Sequence, residues 1–422
     1  MLQLRHAACL VLLALALPKL AAQGTAPTPA QLKLVIIVSR HGVRSPTWTP
    51  DRLNAYSALP WPAWQAAPGE LTHRGYELLT RLGSFERASL SAEGLFAATG
   101  CEGAATTTIY ADTDQRTLAS GRALAEGLFP GCPPQVHSLP EGQSDPLFHA
   151  DTSTLPPAQA DAALAQLRQR LTQSFAPDTA LIRQLQNVLL GCAPDTACTP
   201  AHPPATLLST APLAAERGKG DHLVDLQGPL PNASTLSEDL LLEYTDGMSL
   251  ADVGWGHVDE PQLRRFLALH TAYFDLMHRT PALALIENGG LLRSIGLTLQ
   301  QAVEGHPIDG AVGTAGQKLV VLVGHDTNLA GIASLLGLHW TLDARTDDTP
   351  PDTELAFQLW QTAPGSYFVR TVVTMQTLPQ MREVQTLSYT NPPASQQVQP
   401  YGCPASDKGC PWPAFQRRVS HP

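Results

Sequence analysis

Three features of the sequence predict an α/β fold, with a mixed but mainly parallel sheet flanked by helices and an inserted, mainly helical domain. The runs at 34–38 and 319–323 are apolar without alternation, as in strands buried on both faces. Behind each come charged residues and then helical periodicity, the order of strand-to-helix units. Between about 140 and 260, strand-like runs are scarce, and alanine, leucine and glutamine dominate 158–190. The expected division is an α/β domain from 31–140 and 260–422, with an insertion at 141–259.

The 422 residues suffice for two domains, and 43% hydrophobic with 15% charged residues supports a sizeable core and argues against disorder. A net charge of −10 argues against nucleic-acid binding, so any anionic ligand depends on local arginines. Arg5 and His6, an apolar run and the small residues Ala21-Ala22 follow the order of a secretory signal peptide spanning 1–22. That run is too short to span a bilayer, so export without a stable membrane anchor is expected. Cleavage would remove Cys9 and leave six cysteines. Proximity favours Cys192 with Cys198 and Cys403 with Cys410, which leaves Cys101 with Cys132. No Cys-x-x-Cys pair occurs, so these read as staples rather than metal ligands.

In chain order, the first strand ends in Ser39-Arg40-His41-Gly42-Val43-Arg44-Ser45-Pro46. Residues 47–70, rich in proline and tryptophan (Trp48, Trp61, Trp64), read either as an ordered loop beside a pocket or as a packed surface loop. A helix over 71–93 carries Tyr76, Leu79, Leu82 and Phe85 on one stripe. A second strand at 106–111 breaks at Asp112 to Arg116, and a helix over 117–129 follows, with Thr113 or Asp114 as its cap. Within the insertion, prolines interrupt 200–231, and an amphipathic helix at 236–244 ends before Asp246-Gly247. Helices at 262–279 and 283–303 lead to the strand ending in Gly324-His325-Asp326 and a helix over 327–336. Residues 354–360 and 367–375 read as a closing hairpin, followed by an irregular tail. Asn232-Ala233-Ser234 fits a glycosylation sequon, a short pattern of little weight.

Three strands thus end in matching polar groups: Arg40, His41 and Arg44; Arg116; His325 and Asp326. In a parallel sheet they meet at one carboxyl edge. Guanidinium forks suit the oxygens of a phosphoryl group, a neutral imidazole can attack phosphorus, and a carboxylic acid can protonate the leaving alcohol. Phosphate monoester hydrolysis needs no further group.

On Arg-His-Gly-Val-Arg-Ser-Pro at 40–46, Ala-Asp-Thr-Asp-Gln-Arg-Thr at 111–117 and Gly-His-Asp-Thr-Asn at 324–328, the chain resembles the histidine acid phosphatases. Leu71-Thr72-His73-Arg74-Gly75, Gly254-Trp255-Gly256 and Asp348-Thr349-Pro350-Pro351 add weaker likeness, most to the periplasmic phytase and glucose-1-phosphatase branch. The resemblance implies a phosphoglycerate-mutase-like α/β domain interrupted by a helical one, with His41 as nucleophile and Asp326 as proton donor. It implies Arg40, Arg44, Arg116 and His325 as phosphate ligands, Thr47 as a further contact, and no metal or cofactor. Met248 falls where the helical domain would face the pocket, although a core methionine fits equally. Trp48 stands where phytase relatives often carry a basic residue, and it suits stacking on a sugar ring better than holding phosphates. The expected enzyme is a monomeric, periplasmic or secreted acid phosphatase acting on small phosphate monoesters, phytate among them.

Competing readings are a glucose-1-phosphatase-like sugar phosphatase, a metal hydrolase, a phosphoglycerate-mutase-like phosphotransferase and a silent phosphate-ester binding protein. Arginines beside a dication are unfavourable, and no His-x-x-x-His spacing is present. An exported chain with disulfides has little access to the phosphotransferase's metabolism. Nucleophile and acid are both retained, which argues against silence.

Overall fold

The computed structural model describes residues 29–173, 178–219 and 222–420; the expected leader at 1–22, with Cys9, lies outside them. Strand β1 (Gln31–Arg40) is central in the main sheet. It pairs in parallel with β6 (Leu319–Gly324), which pairs in parallel with β2 (Thr107–Ala111), and short β3 (Val136–His137) closes that edge. On its other side β1 runs antiparallel to β9 (Glu354–Ala363), which forms a hairpin with β10 (Ser366–Met375). The two faces of β1 enter two different cores. Leu34, Ile36 and Val38 pack under helices α8 (Pro281–Glu304) and α9 (Asp326–Leu336). Val35 and Ile37 pack under α2 (His73–Ala92) and α3 (Gln115–Leu128). Burial on both sides is why the run lacks alternation, and each such side chain contributes about 1.5–3 kcal/mol.

The inserted region, with α4 (Pro157–Gln173), α5 (Thr179–Leu189) and α6 (Leu230–Thr245), packs into a separate core that also takes in α7 (Glu260–Met277), the helix following the expected boundary at 259. Leu53, in the short α1 (Pro50–Asn54), and Trp61 also enter it, so the tryptophan-rich loop is packed. Between α5 and α6 the chain forms a hairpin, β4 (Ala214–Arg217) with β5 (Val224–Gln227), inside a stretch expected to be helical or broken.

Two expectations change. Helix α6 starts at Leu230 rather than 236, with Pro231 in its first turn, and it is buried almost all round instead of amphipathic. It lies between the inserted core and the strand ends, so even Glu238, Asp239 and Glu243 are buried. The tail is ordered: α10 (Leu378–Arg382), β11 (Ala394–Val398), β12 (Cys410–Pro411) and α11 (Trp412–Ser420) cover the hairpin side, and a small two-stranded sheet, β7 (Thr341–Leu342) with β8 (Arg345–Thr346), precedes the hairpin. β11 and β12 both hydrogen-bond to β10, and Phe415 of α11 packs on Phe357. Short elements with weak patterns are held there by the sheet edge they cover. Asn232 sits inside α6 with its Nδ2 donating to the Tyr56 hydroxyl (2.9 Å), and Ala233 and Ser234 are buried, so the sequon is not presented.

The disulfides Cys101–Cys132, Cys192–Cys198 and Cys403–Cys410 form as expected.

Candidate active site

Backbone hydrogen bonds carry the parallel ladder beyond the strands. His41 N–H donates to Gly324 O (3.0 Å) and Asp112 N–H to Val323 O (2.9 Å), so the loops after β1, β6 and β2 are locked side by side. The first loop is clamped from behind by the start of α2. Thr72 donates through N–H and Oγ1 to Val43 O and accepts from Gly75 N–H, capping the helix. A Cβ at Gly75 would lie 2.2 Å from Val43 O, so only glycine allows this approach.

Within that frame His41 is buried, and its Nδ1 lies 2.9 Å from Gly42 O. A carbonyl only accepts, so Nδ1 carries the proton and Nε2 keeps its lone pair. Burial, then the Arg40, Arg116 and Arg44 guanidiniums, hold the imidazole well below its ordinary pKa, which favours the neutral ring. Arg40 bonds Asp326 Oδ2 (2.7 Å), Glu238 and the Thr349 carbonyl, which gives the Asp348 to Pro351 segment a purpose. Arg44 takes the other oxygen of Glu238 at 2.9 Å. Arg116 pairs with Asp114 at 2.5 Å, so Asp114 occupies the N-cap of α3 without capping it, contrary to expectation. Arg40 Nε and Arg116 Nε are buried without a hydrogen-bond partner among the described residues. Such donors call for an anionic acceptor.

Glu238 was not singled out in the sequence, because it lies on a helix of the insertion, far from any strand end. Burial alone would raise its pKa, but Arg40 and Arg44 outweigh that and hold the carboxyl well below the usual range. Asp112, part of the second motif but assigned no role, is a second missed group. Its Oδ2 accepts from His325 Nε2 (2.6 Å) and from His149 Nε2 (2.7 Å). Burial opposes its ionisation, yet these imidazole bonds keep its pKa low. His149 carried no local signal at all.

Three further expectations divide. Thr47 is exposed and shares Gly69 as a neighbour with Arg116. The Trp48 ring has the Arg52 guanidinium 3.7 Å over its centroid and Tyr56 tilted beside it at 5.4 Å. Met248 packs against the inserted core, and its carbonyl accepts from Arg382 (2.9 Å). Two trios have ligand types suited to a metal: Asp112, His149 and His325; and Glu238, His270 and Asp326. In the second, Arg40 already contacts both carboxylates, and a dication would have to displace that guanidinium.

A cleft of about 1710 Å³ opens beside the site, between the sheet edge and the inserted region. Asp112, Asp114, His149, Thr327 and Asn328 form one wall; Val224, Pro231 and Tyr273 belong to the other.

Residues 31–198 match the model of the histidine phosphatase superfamily (branch 2). The chain is 34% identical over 402 residues to phytase AppA of Escherichia coli, covering 93% of this chain and 92% of that one. It is 27% identical to a glucose-1-phosphatase of Salmonella typhimurium, with 93% and 92% covered. Among solved structures, the Hafnia alvei phytase bound to tartrate superimposes with a TM-score of 0.82 at 33% identity, covering 94% of this chain and 98% of that one. The Citrobacter braakii phytase does so with 0.75 at 31%, covering 93% and 97%. With strand-end arginines around a neutral histidine, and these similarities over nearly its whole length, the chain belongs to the histidine phosphatase superfamily (branch 2), as an acid phosphatase of phosphate monoesters.

Proposed function

We propose that His41 Nε2 attacks the phosphorus of a monoester held by Arg40, Arg44, Arg116 and His325, with Thr47 at the edge of the site. The N–P bond forms as the P–O bond to the alcohol breaks, and Asp326 gives its proton to the leaving oxygen. Water then attacks the phosphohistidine, Asp326 takes the water's proton, and the N–P bond breaks to release orthophosphate. The observation that carries this reading is the His41 tautomer: Nδ1–H on Gly42 O leaves Nε2 as a lone-pair donor among three guanidiniums. His325 spends Nε2–H on Asp112, so its donor to phosphate is Nδ1–H of the protonated ring. The α/β part supplies all of these groups, and the inserted domain, with α7 packed into its core, forms the far wall of the cleft.

Inositol hexakisphosphate is the leading substrate, and the periplasm or the exterior the site of action. The relatives' names support the substrate, and the three disulfides support the compartment. A sugar monophosphate is the second reading, favoured by a cleft with no lysine or arginine among its described lining residues. A panel of inositol hexakisphosphate, glucose 1-phosphate and aryl phosphates at pH about 4–5 separates them, near the reference carboxyl pKa. Turnover of glucose 1-phosphate alone would remove the first reading.

Two outcomes test the roles. Asp326→Asn should slow alkyl esters, whose leaving alcohols need a proton, about 10²–10⁴-fold, and nitrophenyl phosphate far less. Equal losses on both would take Asp326 out of the acid role. The pH–rate profile should have an acidic optimum and fall as pH rises. Burial lowers the His325 pKa against the opposing Asp112 bond, so its second proton leaves early on the alkaline side. A rate still climbing above neutral pH would contradict this assignment.

A further inference from the structure

His149 is used by neither the strand-end motifs nor the mechanism above, yet it is built into the same hydrogen-bond array. Its Nε2 and the Nε2 of His325 meet one oxygen of Asp112, and the two ring centroids are 5.1 Å apart. An ionised carboxylate only accepts, so both rings present Nε2–H and each retains Nδ1 for another partner. His325 is buried, whereas the His149 side chain is 47% exposed and lines the cleft. Its backbone is pinned: His149 N–H donates to Asp145 O (2.8 Å), Asp145 accepts from the Tyr110 hydroxyl (2.7 Å), and Phe148 O accepts from Asn328 Nδ2 (2.9 Å). The ring is therefore held in place before any ligand arrives.

The charges around it make the placement specific. No lysine or arginine is among the described residues lining the cleft, while Glu141, Asp151, Asp225 and Glu287 are. The other histidines there have acidic neighbours of their own, His278 with Glu287 (3.2 Å) and His222 with Asp225 (3.5 Å). His149 is the cleft histidine joined to the phosphoryl site.

We propose that His149 is a specificity-determining residue whose imidazolium, fixed through Nε2 on Asp112, receives a second anionic group of a polyphosphorylated substrate while the scissile phosphate sits at His41. This rests on the inositol-phosphate reading. The groups facing the ring are Asp112, Asp114, Arg116 and His325. The Asp112 hydrogen bond raises its pKa, against burial and Arg116, so it stays charged to higher pH than a free imidazole. Once it is neutral, the acidic cleft repels polyanions. Preference for them is thereby lost only as the ring gives up its proton, whereas a monophosphate would lose less.

The test uses the full-length protein with His149→Asn, which keeps an N–H for Asp112 but no charge, and His149→Lys, which restores charge. KM and kcat are measured on inositol hexakisphosphate and an aryl phosphate from pH 4 to 7. Inhibition of the aryl reaction by inositol hexakissulfate, which cannot be turned over, is measured in parallel. With His149→Asn, KM for the hexakisphosphate and Ki for the hexasulfate should each rise about tenfold relative to the aryl KM, as loss of a charge-assisted contact implies. His149→Lys should recover much of this. Equal losses on both substrates, carried in kcat, would make His149 only a support for Asp112 and overturn the proposal; so would unchanged hexasulfate inhibition. His149-dependent hexasulfate inhibition in an enzyme that does not hydrolyse the hexakisphosphate would remove the substrate reading and leave the contact standing.

Discussion

His41→Ala should abolish turnover, with kcat down on the order of 10⁴-fold or more on every ester, because no other group can form the covalent intermediate. The loss should be in kcat rather than KM, since Arg40, Arg44 and Arg116 remain to hold the phosphate. Stability should change little, because the ring's one polar bond among the described residues, to Gly42 O, contributes about 0.5–1.5 kcal/mol. Rapid acid-free quenching with phosphorus NMR should detect a phosphoramidate in the wild type and none in the variant. Substantial hydrolysis by a folded His41→Ala protein would exclude His41 as the nucleophile and return the chemistry to directly activated water.

Glu238→Ala should cost about 3–5 kcal/mol of stability, the usual penalty for removing one member of a buried ion pair. Arg40 would keep Asp326 and the Thr349 carbonyl, but Arg44 would be left with only the Ser45 carbonyl among its described hydrogen bonds. In a chain of this size such a loss lowers Tm by about 4–6 °C. The pH dependence has a definite sign. Glu238 has a depressed pKa in the folded protein, so its contribution is present above the unfolded carboxyl value of about 4.3 and is lost as pH falls towards the folded value. The gap in Tm between wild type and Glu238→Gln should therefore be widest near neutrality and narrow in strong acid. Orthophosphate should also inhibit Glu238→Gln more strongly, because the native carboxylate competes with phosphate for the same two guanidiniums. A variant melting with the wild type would show the bridge to be energetically idle.

These two residues were unequally visible. His41 was legible because three local signals coincide: an unalternating strand, a glycine turn and flanking arginines. The same logic placed Arg40, Arg44, Arg116, His325 and Asp326 at one sheet edge, since strand ends in one parallel sheet share an edge by topology. The α6 carboxylates escaped it. A helix read as amphipathic should point its acids to water, and only the packing of the insertion against the sheet edge buries them. The short tail strands escaped for a related reason: β11 and β12 exist because β10 offers an open edge, not because their own residues favour strand.

By itself the sequence determined the parallel core strands and which groups end each strand, and it favoured the two short-loop disulfides, because burial on two faces and closure over short loops leave marks within a few residues of the chain; Cys101 with Cys132 followed only by elimination. Only the tertiary structure decided which acids meet those groups. Glu238 comes from the inserted domain to bridge Arg40 and Arg44, and Asp112 sits between His325 and His149, residues far apart along the chain. Their ionisation depends on burial and on neighbours within a few ångströms, and neither quantity exists until the inserted domain has packed against the sheet.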